Sequence, residues 1–599
     1  MSIPAGKEQS SEPLDPTSLG MPSQQDGFHV DPCLRPNIPK QDWFRLARTL
    51  SHLTPRQLFY NALRRSFKGG CPKAAAAEPT RGLALMEPPL ARHVYDPKDG
   101  SLCFLNVKRV MDPDQAAWSP EDVSKLWRYN LHYFDYLCDP HLSTEAKGML
   151  IDSWIEKNPC RTVDAWEPYP LSLRLVNWIK YFCQTPSHKP LDETWLKSLF
   201  LQAEWLTRNL EYHICANHLF KNCVALLYAG SFFSGPRAET WLAQGCRLLR
   251  DQLSEQLLPD GGHYERSPMY HAIFTEDLLD LVNLTGTGAS PLLAGEVAAL
   301  RAAASNALAF LDDVVFPDEQ IALFNDSAFG IAPLPKDLFA YGRTLVGFER
   351  SEAMVTAKII ERTDSGYFGL RKGGQMVLMD AGPMGPDHQP GHGHCDALSY
   401  ELMLEGRRIV VDSGVFAYEV GDSRQYFRST AAHNTVRVDG QEQSEIWSAF
   451  RVGRRARPSA AVVTQSPDGA LVVEAAHDGY ERGAAPIRHQ RRLEFVDRSL
   501  RVEDKMTGRG QHVYESFIHL HPDIDVVLDE AAQSGTLLWS GETIGRIIVE
   551  ERCRLEVTSG AYAPEFGRCR ENKVLVMRAE GEPPLRMYYR IDGEVLCAS

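Results

Sequence analysis

The spacing of apolar residues changes along the chain and divides it into two halves. From about residue 40 to 340, apolar residues recur every three or four positions, as in the segments 118–137 and 193–214. This period predicts amphipathic helices that follow one another with short polar breaks. In the segment SPEDVSKLW, Ser119 is predicted to cap a helix that begins at Pro120.

From about residue 366 the pattern becomes an alternation of apolar and polar residues in short runs. Segments such as SYELMLEGRRIVVDSG and RRLEFVDRSLRVEDKM are rich in Val, Ile and Arg and are bounded by Gly and Asp. A period of two with tight turns predicts antiparallel sheet. The sequence therefore predicts an α+β multidomain chain, an all-α domain followed by a β-sandwich. The predicted divisions are a disordered tail (1–40), a helical domain (41–340), a linker (341–365) and the sandwich (366–599).

Composition narrows the class of protein. Of 599 residues, 43% are apolar and 24% are charged, which is ordinary for a globular protein. The net charge of -14, from 78 acidic against 64 basic residues, argues against nucleic acid as a partner. Apolar runs are too short and too interrupted by charge to predict a transmembrane helix.

The N-terminal segment and the cysteines bear on location. The first residues lack the basic start and apolar core of a secretory signal, so we expect a cytoplasmic protein. A periplasmic location is the alternative if the start site is mis-called. The 13 Cys are scattered and form no CxxC pair, which predicts reduced and mostly buried thiols.

The densest polar cluster is GPDHQPGHGHCDALSYEL. His392 and His394 are two residues apart, so on an extended chain they point to the same face. One of these histidines, together with the distant Asp412 and His433, offers a zinc ligand set with one open position. The alternative is a hydrogen-bonded turn with surface histidines.

Three further features are candidates for a cleft. Asn217 and His218 begin an apolar helix, where Asn can also serve as a simple cap. The segment LPDGGHYERSPMYH crowds polar and aromatic groups behind a glycine turn, which favours a cleft wall over a solvated loop. Residues 424–457 contain seven Arg and three acidic residues, a surface suited to a polyanion or else a solvated strand face. Nine of the 11 Trp precede residue 242 and are predicted to be helix core, with sugar stacking as the alternative.

Seven segments, in their order along the chain, resemble the heparinase II/III-like polysaccharide lyases. They are KLWRYNLHYFDYL, AWEPYPLSLRLVNWIK, NHLFKNCVALLYAG, LPDGGHYERSPMYH, FNDSAFG, GHGHCDALSYEL and FRSTAAHNTVRVDGQEQSEIW. The resemblance spans from about residue 110 to at least 460. It implies an incomplete α/α toroid followed by an antiparallel β-sandwich.

The resemblance also implies roles for individual residues. Asn217 and His218 match the pair that contacts the substrate carboxylate, and His392 matches the catalytic histidine. Tyr270 is similar in context to the catalytic tyrosine, with the nearby Tyr264 as the alternative. One zinc, structural in role, is implied by its matching ligands His394, Asp412 and His433. Beside these, the predicted substrate contacts are Arg266, Tyr264 and Arg428.

The implied activity is β-elimination at a uronic acid in a heparin- or heparan-like, alginate-like or bacterial exopolysaccharide chain. Either Tyr270 or His392 can be the base, and the sequence leaves both open. The expected partner is an acidic polysaccharide or oligosaccharide, and a homodimer is left open. The competing functions are a non-catalytic polysaccharide-binding protein and a glycoside hydrolase that uses acids such as Asp260, Glu265 and Asp326.

Overall fold

A computed structural model describes most of the chain. The described residues are 30–35, 43–66, 70–72, 77–78, 80, 82–90, 93–112, 117–184, 191–350, 357–466, 469–550 and 552–594. The predicted tail over 1–40 therefore lies largely outside the described residues, as does part of the predicted linker.

Helices fill the first half of the molecule. They are Trp43–Ser51 (α1), Pro55–Ser66 (α2), Lys125–Tyr133 (α3), Thr144–Lys157 (α4), Pro168–Gln184 (α5), Glu193–Arg208 (α6), Ala216–Phe232 (α7), Pro236–Gln256 (α8), Pro268–Gly286 (α9), Pro291–Ala294 (α10), Val297–Val314 (α11) and Pro335–Val346 (α12). Helix α7 packs against α5 and α8, and α9 packs against α11 and α12. This side-by-side packing of neighbouring helices agrees with the predicted toroid.

The start of α3 differs from the prediction. The helix begins at Lys125, and the Ser124 hydroxyl accepts a hydrogen bond of 3.1 Å from the backbone N–H of Trp127. Ser119 and Pro120 lie before the helix in bends and loop. Both serines precede a helix-forming run, but only Ser124 stands three residues before an N–H at the observed helix start.

Tryptophan side chains form much of the helical core. Trp127, Trp154, Trp178 and Trp241 are fully buried, so the core interpretation is confirmed for these four. Helix α7 is mostly apolar and almost entirely buried, which fits a helix that packs between α5 and α8.

Three short strands in the helical half were not predicted. They are Tyr95–Asp96 (β1), Ser101–Phe104 (β2) and Val107–Val110 (β3), and they form one antiparallel sheet. The turn between β2 and β3 places Leu105 and Asn106 at positive φ, and strands this short carry little alternation to detect.

The second half is built from antiparallel sheets. Its strands are Lys358–Arg362 (β4), Tyr367–Lys372 (β5), Gln375–Asp380 (β6), Tyr400–Leu404 (β7), Arg407–Val410 (β8), Val436–Val438 (β9), Ile446–Trp447 (β10), Arg451–Val452 (β11), Val462–Gln465 (β12), Leu471–Tyr480 (β13), Ile487–Val496 (β14), Ser499–Gly508 (β15), His512–His519 (β16), Ile524–Asp529 (β17), Ser534–Trp539 (β18), Glu542–Val549 (β19), Arg554–Glu565 (β20), Arg568–Gly581 (β21) and Leu585–Gly593 (β22). A short helix, Asp422–Arg428 (α13), interrupts them.

The sheets enclose a shared core. Five strands pair in the order β4-β5-β6-β7-β8, eight in the order β12-β13-β14-β15-β22-β19-β18-β17, and four in the order β20-β21-β16-β9. Val377, Leu493 and Leu575, one from each sheet, belong to one buried apolar cluster. Burial alternates along β14 as the sequence pattern predicts. The predicted fold class, a helical toroid followed by an antiparallel sandwich, is confirmed.

Two predicted boundaries differ from the structure in its described part. Leu34 lies within the predicted tail, yet it is fully buried beside Phe427 and Ala563 of the second half. Helix α1 also reaches the second half, where Arg48 forms hydrogen bonds of 2.8 and 2.9 Å with Glu445. Helix α12 and strand β4 both extend into the predicted linker. Segments this short carry too few apolar residues for their partners to be read from sequence.

The cysteines depart from the predicted reduced state at one pair. Cys71 and Cys160 form a disulfide across 89 residues of sequence. The other cysteines whose side chains are described carry free thiols, and most of them are buried or half-buried. Among the described helices, none combines the length and the apolar character needed to cross a membrane.

Candidate functional site

A cavity of about 750 Å³ lies between the helical half and the sandwich. Its helical wall comes from α3, α5, α7 and α9, and its opposite wall comes from the loops around residues 391, 419 and 450. The four predicted catalytic residues, Asn217, His218, Tyr270 and His392, all line this cavity. The structure thus brings together residues that are up to 175 positions apart in sequence.

Aromatic rings other than tryptophan line the walls. Tyr129, Tyr133, Tyr169, Tyr270 and Tyr418 face the cavity, and no described Trp does so. The sugar-stacking role considered for the tryptophans is therefore available to tyrosines instead, since a phenol ring offers an apolar face with a polar edge.

The start of α7 positions the first two residues. Cys215 and Ala216 both have positive φ, a backbone region that costs free energy for residues with a Cβ, and they turn the chain sharply into the helix. Asn217 does not act as the helix cap. Its Nδ2 donates hydrogen bonds of 3.0 Å to both oxygens of Glu265.

His218 is held by a buried carboxylate. Its Nδ1 lies 3.0 Å from Oε1 of Glu211, and its ring centroid lies 4.3 Å from that of Tyr169. Burial alone would raise the pKa of Glu211, but His218 and a hydrogen bond from Asn222 outweigh it and lower the pKa. Glu211 is therefore ionised at neutral pH, and Nε2 is the imidazole nitrogen left for a ligand.

Tyr270 lies in the first turn of α9, where the Ser267 hydroxyl accepts a hydrogen bond from its backbone N–H. Its ring centroid is 4.0 Å from that of His392, and its hydroxyl is 3.3 Å from the hydroxyl of Tyr418. Burial, followed by the influence of Tyr418 and of nearby carboxylates, holds the pKa of Tyr270 well above its usual value. Tyr270 is therefore a neutral phenol at physiological pH.

His392 is oriented by Asp326. Its Nδ1 lies 2.8 Å from Oδ2 of Asp326, and Arg424 holds the same carboxylate through both of its terminal nitrogens. Burial alone would raise the pKa of Asp326, but Arg424 and the histidines keep it well below its usual range. A carboxylate accepts hydrogen bonds only, so Nδ1 of His392 is the donor, and in the neutral imidazole Nε2 is the nitrogen with the lone pair.

Behind His392 lies a group of buried residues suited to a metal ion. Ligand atoms of His394, Asp396 and His433 lie within 4.8 Å of one another. His394 Nε2 pairs with Asp326 at 2.9 Å, and His433 Nδ1 pairs with Asp412 at 2.8 Å. The remaining nitrogens, His394 Nδ1 and His433 Nε2, are buried and have no hydrogen-bond partner among the described residues.

This arrangement fits a metal such as zinc. Each imidazole donates one N–H to a carboxylate and keeps a lone pair on the other nitrogen, as histidine ligands of metals do. Both predicted histidine ligands, His394 and His433, belong to this group. Asp412, a predicted ligand, contacts His433 instead, and Asp396 supplies the carboxylate nearest both free nitrogens.

The predicted substrate contacts lie outside the cavity lining. The Arg428 guanidinium is fully buried and donates to the carbonyls of Gly393 and Ala449, so it cannot reach a ligand. Arg266 donates to the carbonyls of Tyr264, Asp364 and Ser365. The Tyr264 side chain is buried and does not line the cavity. None of the three therefore lines the cavity as a substrate contact.

The wider arginine stretch is also largely structural. Arg424 and Arg428 support the loop that holds His392, and Arg437 pairs with Glu515 at 2.6 Å. A charge count along the sequence does not show which guanidinium groups point inward. The prediction of a polyanion groove over residues 424–457 is wrong for these three.

Several residues of the site escaped the sequence reasoning. Tyr169 and Tyr418 line the cavity, Glu211 orients His218, and Arg424 holds Asp326. Tyr169, Tyr418 and Arg424 carry no spacing signal, because each lies far in sequence from the residue that it contacts. Glu211 stands only seven residues before His218, a spacing that the sequence analysis did not use. The segment FNDSAFG, which contains Asp326, was the nearest available clue.

Two protein-family models and a solved structure are similar to this chain. A family model described as heparinase II/III N-terminus matches residues 146–335, and one described as heparinase II/III-like, C-terminal, matches residues 355–589. The solved structure of heparinase III is similar, with a TM-score of 0.63, 17% identity and coverage of 94% of each chain.

Two curated relatives carry different names. A heparin-sulfate lyase of Bacteroides stercoris is 24% identical over 470 residues, which are 66% of this chain and 64% of that protein. The chain thus spans less than two thirds of that relative's length. An FtsZ-localized protein C of Caulobacter vibrioides is 24% identical over 509 residues, covering 79% of this chain and 82% of that protein.

Proposed function

Because the chain belongs to the heparinase II/III-like family, we propose that it is a polysaccharide lyase that cleaves a uronic-acid-containing polysaccharide by β-elimination. One observation carries the proposal. The rings of Tyr270 and His392 have centroids 4.0 Å apart in a cavity whose helical wall also presents His218 with its ionised partner Glu211. A proton donor, a proton acceptor and a group suited to a carboxylate therefore meet in one space.

The first chemical task is to stabilise the charge that develops on the uronic acid. The proton on C5 is weakly acidic because the neighbouring carboxylate is already negative, so that carboxylate needs a hydrogen-bond donor that strengthens as charge builds. We assign this task to His218 in its doubly protonated form, because Nδ1–H is held by Glu211 and Nε2 needs a proton of its own to donate. Asn217 contacts the carboxylate only after its hydrogen bonds to Glu265 break, because both of these bonds come from its amide nitrogen.

The second task is proton transfer. His392 Nε2 is the base that removes the C5 proton, since Asp326 occupies Nδ1. The C5 electron pair forms the C4–C5 double bond as the C4–O4 bond breaks. Tyr270, a neutral phenol, donates its proton to the departing O4, and the adjacent His392 ring returns a proton to the phenolate. The reaction consumes no water.

We also propose one structural zinc ion. His394 and His433 would hold it through their free nitrogens, with a carboxylate from Asp396 or Asp412. When bound, zinc would supply a rigid cross-link between the loop that carries His392 and the sandwich. The elimination steps use this chain's side chains alone.

Ultraviolet absorbance tests the reaction class, because β-elimination creates a conjugated C4–C5 double bond and hydrolysis does not. The purified protein is mixed with heparan sulfate, heparosan, hyaluronan, chondroitin and alginate. We expect a rising signal on at least one polymer. Tyr270→Phe should lower turnover by about 100-fold or more, since it removes the proton donor.

Tyr264→Phe is the matched control. Its hydroxyl is buried outside the cavity lining, so removing it should leave turnover within a few-fold of the wild type. Full activity of Tyr270→Phe, with loss in Tyr264→Phe, would reverse the assignment of the tyrosine.

The alternatives make different predictions in the same assay. A flat signal on every polymer, with retained binding, would favour the polysaccharide-binding protein. New reducing ends without absorbance would identify a hydrolase. The acids considered for hydrolysis, Asp260, Glu265 and Asp326, are outside the cavity lining and already hydrogen-bonded.

A further inference from the structure

The ionised groups on the cavity wall are predominantly acidic. Among the described residues, the lining contains six acidic residues and three lysines, so its formal balance is 3 − 6 = −3. No described arginine lines the cavity. The acidic residues are Glu87, Asp135, Glu276, Asp277, Asp280 and Glu419, and the basic residues are Lys125, Lys180 and Lys221.

All three lysines are already paired with carboxylates. Lys221 Nζ lies 2.7 Å from Asp277 and Lys180 Nζ lies 2.5 Å from Asp280, and both pairs are largely buried. Lys125 is more exposed and lies 3.0 Å from Glu167. A ligand anion that approaches any of these ammonium groups must share it with a carboxylate already bound there, and the like charges of the anion and the carboxylate repel each other.

Sulfate groups on a glycan need the opposite surroundings. They are bound by arginine and lysine side chains whose donors are available to the anion. Here the uronic acid carboxylate has His218 as its partner, but a further anion on the same or the next sugar would face acidic groups. Like charges brought together on binding disfavour that ligand, and such repulsion sets specificity.

Resting on the lyase reaction proposed above, we infer that the substrate is an unsulfated uronic acid polysaccharide. Its only anion in each repeat is the carboxylate that the reaction requires. Sulfated chains of the same backbone are disfavoured by the charge of the acidic cavity wall rather than by their size.

Paired substrates test the inference, because each pair shares a backbone and differs in sulfation. Heparosan is compared with heparin, and unsulfated chondroitin with chondroitin sulfate, at equal uronic acid concentration and fixed ionic strength. We expect kcat/KM for the unsulfated member of the cleaved pair to exceed that of the sulfated member by about tenfold or more.

Two outcomes would count against it in different ways. Equal or faster cleavage of the sulfated member overturns the substrate inference and leaves the lyase reaction standing. Absence of a double bond from every polymer overturns the proposed function, and the inference with it.

Charge reversal tests the cause. Glu276→Lys adds a cation to the helical wall, and Glu419→Lys does so on the facing wall, so either variant suffices if the other fails to fold. Each should raise the kcat/KM of sulfated relative to unsulfated substrate by about fivefold. Glu361→Lys makes the same charge change at an exposed position of β4 outside the lining and should leave that ratio unchanged. A ratio that moves equally in all three variants would overturn the electrostatic explanation.

Discussion

One carboxylate orients two histidines with different tasks. Asp326 binds Nδ1 of His392 and Nε2 of His394, so the nitrogens that remain are Nε2 of the first and Nδ1 of the second. The first ring lines the cavity and the second ring turns into the buried group with His433. Thus one histidine of the His-x-His pair is the proposed base and the other is a proposed metal ligand. The two-residue spacing alone does not predict which histidine has which role.

The proposed zinc site leads to a prediction at this scale. The purified protein should contain about one zinc per chain, and His433→Ala should lose both the metal and thermal stability. Without a metal, the free nitrogens of His394 and His433 are buried without partners, which costs free energy. Metal analysis by mass spectrometry and thermal unfolding of the same samples provide the measurements.

His521→Ala is the control for that experiment, since this ring lies outside the buried group and stacks on Trp539. It should keep the metal. Well-folded wild-type protein without any bound metal would contradict the zinc proposal, whereas metal retained by His433→Ala would remove His433 from the ligand set.

Sequence reasoning at the residue scale found side chains but not their partners. Asn217, His218, Tyr270 and His392 were named from local motifs, and all four line the cavity. Arg428 was predicted to be a substrate contact because it lies in an arginine-rich segment. Its guanidinium instead donates hydrogen bonds to the carbonyls of Gly393 and Ala449. A motif records which residues lie close in sequence, while the use of a charged group depends on what lies close in space.

At the scale of elements, periodicity predicted what is long and repetitive. The alternation in β14 and the three- and four-residue spacing in α6 gave the correct element types. The strands β1, β2 and β3 are two to four residues long and left no usable period. The first turn of α3 was misplaced because two serines competed as caps.

The loop that carries His392 depends on a glycine. A Cβ added to Gly393 would lie 2.3 Å from Cγ of Met384 and 3.2 Å from its carbonyl oxygen. We expect Gly393→Ala to shift this loop, to lower the free energy of unfolding by about 1–3 kcal/mol and to reduce kcat/KM on the cleaved polymer by at least about tenfold. Denaturant unfolding and the absorbance assay measure the two effects.

Gly286→Ala is the control for Gly393→Ala, because it makes the same substitution at a position where the added Cβ meets no neighbouring atom. Nothing lies within 4 Å of the added Cβ at this end of α9, so stability and activity should stay close to the wild type. If Gly393→Ala behaves in the same way, the loop has room to adjust, and the close approach of Met384 does not hold His392 in place.

At the scale of the whole molecule, the cavity exists only where the two halves meet, so their junction matters for the site. Asp312 at the end of α11 is a centre of this junction. It lies 2.9 Å from Arg371 of β5, 3.1 Å from Lys358 of β4 and 3.0 Å from Arg350. The pairing of α11 with these strands crosses the predicted linker, and no periodicity within either half reveals it.

Asp312 predicts how stability depends on pH. Burial alone would raise its pKa, but Arg371, Lys358 and Arg350 outweigh it and lower the pKa from 3.8 to about 2. A depressed folded-state pKa stabilises the fold at pH above the unfolded value, and this contribution is lost as pH falls from about 4 to about 2. We therefore expect Asp312→Asn to lower the free energy of unfolding by about 2 kcal/mol at pH 7, and its deficit relative to the wild type to shrink with acidification.

Asp497→Asn removes a carboxylate of the same kind from the surface, where Asp497 is 84% exposed and 3.8 Å from Lys372. An exposed pair of this geometry contributes little, so its midpoint of denaturant unfolding should hardly move at any pH. Because Asp312 joins α11 to β4 and β5 while Asp497 joins residues within the sandwich, the comparison isolates the junction. If both variants lose the same stability, general surface charge would account for the acid sensitivity, and the halves would be held together by their apolar contacts instead.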